Sequence, residues 1–99
     1  MSFICSLDTI YVGYETTTRQ DITTALLVLK MTIYPSEFNA DQKYKAARLY
    51  SARRIEMDTI TTEYAPKILD GLKSRNMDIG DITKENVLDK VHAFVQQWS

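Results

Sequence analysis

A mainly α-helical fold is what this sequence predicts: a small three- to four-helix bundle with a non-helical, extended or short-β, N-terminal arm. Three observations carry that reading. Apolar residues recur at helical spacing from about residue 19 to the end of the chain. The two prolines, Pro35 and Pro66, and the three glycines, Gly13, Gly71 and Gly80, punctuate those periodic runs. Residues 1–18 depart from the pattern and are rich in β-branched and aromatic side chains.

The arm comes first. Phe3, Ile4, Thr9, Ile10, Tyr11, Val12 and Tyr14 crowd its length, and Ile10, Val12 and Tyr14 alternate with Tyr11 and Gly13 as in a strand. A lone two-stranded ribbon is marginal in water, so the arm is expected to rest on its own helices or on a neighbouring chain. A first helix is expected over 19–33, with Thr18 as its N-cap and Asp21 in its first turn. Ile22, Leu26, Leu29 and Ile33 form its inward stripe, widened by Ala25, Leu27 and Val28. Pro35 stops it, because a residue before proline is pushed out of the helical region.

Asn39 followed by Gln42 has the spacing of a capping box. The helix it opens is expected over 40–64, roughly 37 Å long at the α-helical rise. Pro66 is expected to bend or restart the chain into a short helix over 66–75, with proline tolerated in its first turn. A loop around Gly80 follows. Thr83 is then the expected N-cap of a last helix over 84–98, where Val87, Leu88, Val91, Phe94, Val95 and Trp98 share one face. The expected core is Ile22, Leu26, Leu29, Ile33, Leu49, Ile60, Leu69, Leu72, Val91, Phe94, Val95 and Trp98.

The helix over 40–64 is the functional clue. At 100° per residue, Ala46, Leu49, Tyr50, Met57, Ile60 and Tyr64 lie on one face, and Tyr44, Ala47, Ala52 and Ile55 lie roughly opposite. A surface helix needs one apolar stripe; two imply neighbours on both sides. The candidate interface residues are therefore Tyr44, Tyr50, Arg53, Met57, Ile60, Tyr64, Tyr11 and Tyr14, since tyrosine and arginine are favoured where proteins meet. Arg53 lies within the larger apolar face and needs a carboxylate if buried, which suggests an ion pair between subunits.

Composition narrows the function. With 99 residues the chain forms one domain, 1–99, with a modest core and little room for an enclosed pocket. A hydrophobic share of 44% is ordinary for a globular protein and argues against disorder. The net charge of −1 lacks the basic excess that phosphate binding favours. Lys43, Lys45, Arg48, Arg53 and Arg54 point around the whole helix rather than forming a stripe, so nucleic acid is not an expected partner.

No motif for catalysis, metal or cofactor is present in the sequence. Cys5 is the one cysteine and lies among Phe3, Ile4 and Leu7, as a small buried hydrophobe would. His92 is the one histidine and flanks the apolar face of the last helix. Five residues before Gly80 stands Arg75, where a calcium loop needs aspartate. Acidic and basic residues are interleaved, and no pair stands out as an acid–base dyad. The expectation is a protein that is not an enzyme. No signal peptide is apparent, and the longest apolar run, Ala25 to Leu29, is too short to cross a bilayer. A cytoplasmic or virion setting is expected, neither secreted nor membrane-spanning.

The run Lys45-Ala46-Ala47-Arg48-Leu49-Tyr50-Ser51-Ala52, after a helix and a proline-bearing turn, resembles the small helical head–tail connector proteins of tailed phages. The resemblance spans about a third of the chain. It implies a virion component that assembles through protein contacts. The expected function is accordingly that of a structural or assembly protein, a homo-oligomer or one subunit of a larger assembly. The alternatives are a small regulator or inhibitor docking on a host enzyme or transcription protein, and a helix-turn-helix DNA-binding regulator.

Overall fold

The computed structural model describes the backbone from Gly13 to Ser99 and the side chains from Arg19 onwards. Among the described residues there are four helices: α1 over Gly13–Ile33, α2 over Ala40–Ala52, α3 over Arg54–Ser74 and α4 over Val87–Trp98. A short 3-10 turn over Pro35–Glu37 joins α1 to α2. Among the described residues there is no strand, so the all-α class holds.

α1 begins at Gly13, six residues before its expected start. The threonines that follow do not prevent it, since a β-branched residue costs less than about 0.7 kcal/mol in a helix. The part of the expected arm over 1–12 lies outside the described residues. α1 is the hub of the molecule: each helix touches the other three, and α1 does so most extensively. Its buried surface is correspondingly broad and holds Ala25, Val28, Leu29 and Met31. Ile22, Leu26 and Ile33, expected in the core, lie half-buried on its flanks.

The connection to α2 follows the sequence closely. Pro35 opens the 3-10 turn, and Asn39 caps α2. The Gln42 N–H donates to Asn39 Oδ1 at 2.8 Å, and the Asn39 N–H donates to Gln42 Oε1 at 2.9 Å, completing the capping box.

The expected 40–64 helix is in fact broken, and not at the proline. Arg53 leaves helical geometry, with φ −132° and ψ 48°, and separates α2 from α3. Pro66 instead sits inside α3 without ending it. Proline removes the hydrogen bond to the carbonyl of residue 62; Thr62 is exposed, so water can serve that carbonyl. The break at Arg53 has a tertiary cause. The shared axis of a straight rod would not let both halves reach α1 and α4, and the elbow turns Ala46, Ala47 and Tyr50 of α2 and Met57, Thr61, Ala65 and Leu69 of α3 into one core. Leu49, expected in that core, is left 57% exposed at the elbow.

α3 ends in a Schellman motif. Asn76 adopts φ +59°, its N–H donates to the Lys73 carbonyl at 3.0 Å, and the Met77 N–H reaches back to the Leu72 carbonyl at 3.0 Å. Gly80, at φ +62°, takes the left-handed position of the following loop, and its N–H donates to Asp78 Oδ1 at 2.8 Å. Thr83 and Asn86 then exchange hydrogen bonds of 2.7 and 3.2 Å, setting up a turn that leads into α4 at Val87 rather than at Lys84. α4 presents Val87, Val91, Phe94 and Val95 to the core, as its periodicity predicts.

Candidate protein-docking groove

Two arrangements of side chains stand out: a polar junction and an apolar groove. The junction ties α2, α3 and α4 together around the Asp58 carboxylate. Tyr50, on α2, donates its hydroxyl to Asp58 Oδ1 at 2.6 Å. His92 Nε2, on α4, hydrogen-bonds to the same oxygen at 2.8 Å, and Arg54 Nε approaches Oδ2 at 3.8 Å. Thr61 Oγ1 shares a further hydrogen bond with the Tyr50 hydroxyl at 3.3 Å. Burial, and then the bond to Asp58, push the Tyr50 phenol well above the usual tyrosine range. This constellation satisfies polar groups where three helices meet, which is what a low-dielectric junction requires. A hollow beside it is open to solvent and bordered by Asp58, Thr59, Thr62 and Glu63.

The groove lies elsewhere, between the C-terminal halves of α1 and α3, and has a volume of about 400 Å³. α1 and α3 run side by side in the same direction. Arg53, just before α3, reaches Asp21 in the middle of α1, and near the ends of the two helices Ile33 and Leu72 line the same groove. Each helix contributes residues at i, i+4 and i+7, which share a helix face. Leu26, Lys30 and Ile33 come from α1, and Ile68, Leu72 and Arg75 from α3 and its cap. The Schellman motif closes one end by bringing Met77 back beside Leu72, the apolar pairing that accompanies this cap. Tyr34 and Glu37, from the turn after α1, complete the lining.

The walls are apolar and the rim is charged, with Lys30, Glu37 and Arg75. One polar atom within the lining is unsatisfied: the Tyr34 hydroxyl is buried and has no hydrogen-bond partner. Leaving a buried hydroxyl unpaired costs about 1–3 kcal/mol. A ligand carrying an acceptor would recover that cost.

The residues singled out from the sequence fall differently. Tyr50, with no exposed surface, and Met57 are part of this chain's own core. Arg53 finds its carboxylate within the chain, not on another subunit. Its Nε lies 3.0 Å from both oxygens of Asp21, and a terminal nitrogen lies 2.9 Å from Oδ2. Asp21, expected as a first-turn residue, is buried in mid-helix, which is why that pairing is needed. Ile60 and Tyr64 are half-buried, and Lys67 rests over the Tyr64 ring. Tyr44 is exposed beneath Arg48. Tyr11 and the side chain of Tyr14 lie outside the described residues. Ile55 is the most exposed large apolar side chain described, at 79%.

The groove residues were not singled out beforehand as a site. Leu26 and Leu72 read as ordinary core positions. The signal that could have found them is the matched spacing of Leu26-Lys30-Ile33 and Ile68-Leu72-Arg75, an apolar pair flanking or preceding a cation on each helix.

The fold and the groove define an all-α bundle with an open apolar channel. No protein-family model matches the chain, and neither a curated protein nor a solved structure is detectably similar to it. No helix among the described residues is long and apolar enough to cross a membrane.

Proposed function

We propose that this chain works by gripping another protein segment in the α1–α3 groove, as a subunit of an oligomer or larger assembly. The observation that carries the reading is the groove itself: apolar walls, a charged rim, and a buried tyrosine hydroxyl lacking a partner. Contacts of this kind, an apolar centre inside a polar border, are how proteins bind proteins. The likeness of the Lys45–Ala52 run to head–tail connectors extends the proposal to a virion component. That run's Ala46 and Ala47 pack into this chain's core, so the groove is the stronger support.

A second reading uses the same surface. A small regulator would take one helix of a foreign enzyme or transcription protein, anchored at i, i+3, i+4 and i+7. The helix-turn-helix reading has less in its favour, because that motif joins two helices by a turn of three or four residues. Here the connectors span 34–39, the single residue Arg53, and 75–86.

Ile68 and Met77 provide the test, since they are 36% and 44% exposed and their replacement leaves the core intact. Light scattering after size-exclusion chromatography should show a multimer for the wild type. Ile68→Glu and Met77→Glu should keep the helical circular dichroism and weaken association roughly tenfold or more. Multimers unchanged by both substitutions would place the contact outside the groove and overturn the reading. A chain that stays monomeric would favour the regulator.

A further inference from the structure

We propose that the groove receives residues 1–12 of a second copy of this chain, so that copies assemble by exchanging N-terminal segments. This rests on the protein-contact reading above and names the partner.

The first argument is chemical complementarity. The segment carries Phe3, Ile4, Leu7, Ile10 and Val12, one carboxylate, Asp8, and no lysine or arginine. The groove offers apolar walls and the cations Lys30 and Arg75. No carboxylate among the described residues pairs with either cation. Glu37 on the same rim leaves one net positive charge there, and Asp8 would neutralise it. An extended segment also presents a backbone carbonyl about every 3.3 Å, which supplies the acceptor that the Tyr34 hydroxyl lacks.

The second argument is reach, and it decides which chain can supply Asp8. Gly13, where α1 begins, lies at the far end of α1 from the groove. Lys30 is seventeen residues further on, about 26 Å along the helix. Asp8 is only five Cα steps from Gly13. At least two of them are spent reversing the chain, so Asp8 returns about 10 Å along α1 even when fully extended. The remaining distance, about 15 Å, exceeds what lysine and aspartate side chains span together. In its own chain Asp8 therefore cannot meet Lys30 or Arg75. In a second copy no such limit applies.

Charge swapping tests the proposal on the full chain. The wild type should form multimers. Asp8→Lys and Lys30→Asp should each weaken association roughly tenfold, as truncating one member of a close interfacial charge pair does. The double variant Asp8→Lys/Lys30→Asp should recover most of that loss. A variant lacking residues 2–12 should be monomeric with its helical signal retained. Three results would overturn the idea. Association that survives both Asp8→Lys and the deletion sinks arm exchange, yet leaves the groove reading standing if Ile68→Glu still dissociates the multimer. A double variant no tighter than the single ones places Asp8 elsewhere. A wild type that is monomeric at every concentration removes both the exchange and the assembly reading.

Discussion

Tyr50 has no surface left in water, yet keeps a hydroxyl that must be satisfied inside. Asp58 and Thr61 do so, and the same Asp58 is held by His92. Tyr50→Phe should therefore destabilise the fold by about 1–2 kcal/mol at neutral pH, the net worth of the lost bonds to partly buried partners. It should also change the pH dependence. The native phenol holds its proton above the usual tyrosine range, whereas the unfolded chain releases it near about pH 10. Stability from this group is complete below that pH and is lost as pH rises towards the native value. Urea titrations at pH 7 and above pH 10 should show a steeper loss for wild type than for Tyr50→Phe; parallel losses would remove Tyr50 as the source. The Arg53–Asp21 pair makes a contrasting case. Removing the exposed partner strands a buried carboxylate, while Asp21→Asn removes the charge itself. Arg53→Ala should lower the melting temperature more than Asp21→Asn, and the reverse order would mean that Asp21 is solvated. The pair was half legible in advance. An arginine amid apolar neighbours announced the need for a carboxylate, but nothing local pointed thirty-two residues back to Asp21.

At the scale of helices, periodicity and capping chemistry were enough for α2's start and α4's inward face, because both depend on near neighbours in sequence. The Asn39 box and the Val87–Val91–Phe94–Val95 stripe are local facts. The elbow at Arg53 was not legible. No glycine or proline marks it, and it exists because α2 and α3 must each meet α1, a tertiary demand that overrides a sequence willing to stay helical. Pro66 misled for the opposite reason: its local signal is strong, but the carbonyl it orphans is on an exposed turn and α3 is held by Thr61, Ala65 and Leu69 on the inner face. The helix still carries the cost of a missing hydrogen bond. Pro66→Ala should stabilise the protein by about 1–3 kcal/mol, since proline in a helix interior costs about 3 kcal/mol relative to alanine. Chemical denaturation would check this; a stability unchanged or lowered would show that the ring's contacts, or its stiffening of the unfolded chain, outweigh the bond. Leu69→Ala, at a site 1% exposed on the same helix, should cost about 3 kcal/mol by contrast.

Across the whole molecule the two-sided character read from residues 40–64 is not found in any one helix, and α1 comes nearest to it with one broad buried face. A straight 40–64 helix would carry two apolar faces, but the break at Arg53 rotates α3 against α2, so Ala46, Ala47 and Tyr50 of one and Met57 of the other face the same core while Leu49 and Ile55 stay exposed. α1 packs against α2, α3 and α4 and leaves Thr23, Leu27 and Lys30 exposed on its outer side. Its hub position makes the four helices depend on one another. Val28 has no exposed surface and sits in the middle of that hub. Val28→Ala should cost about 2 kcal/mol through lost contacts and a small cavity. More tellingly, it should lower every part of the structure at once. Trp98, the single tryptophan, lies at the far end of α4 against the core and beneath Lys43 of α2. Its fluorescence therefore reports on packing far along the chain from residue 28, while circular dichroism reports on helix throughout. In urea the two signals should move to a lower midpoint together, because a small domain with one core unfolds as a unit. Should the Trp98 signal be lost first in wild type and stay put in Val28→Ala, α4 would be a separately melting element, and α1 would not be the hub that its contacts make it.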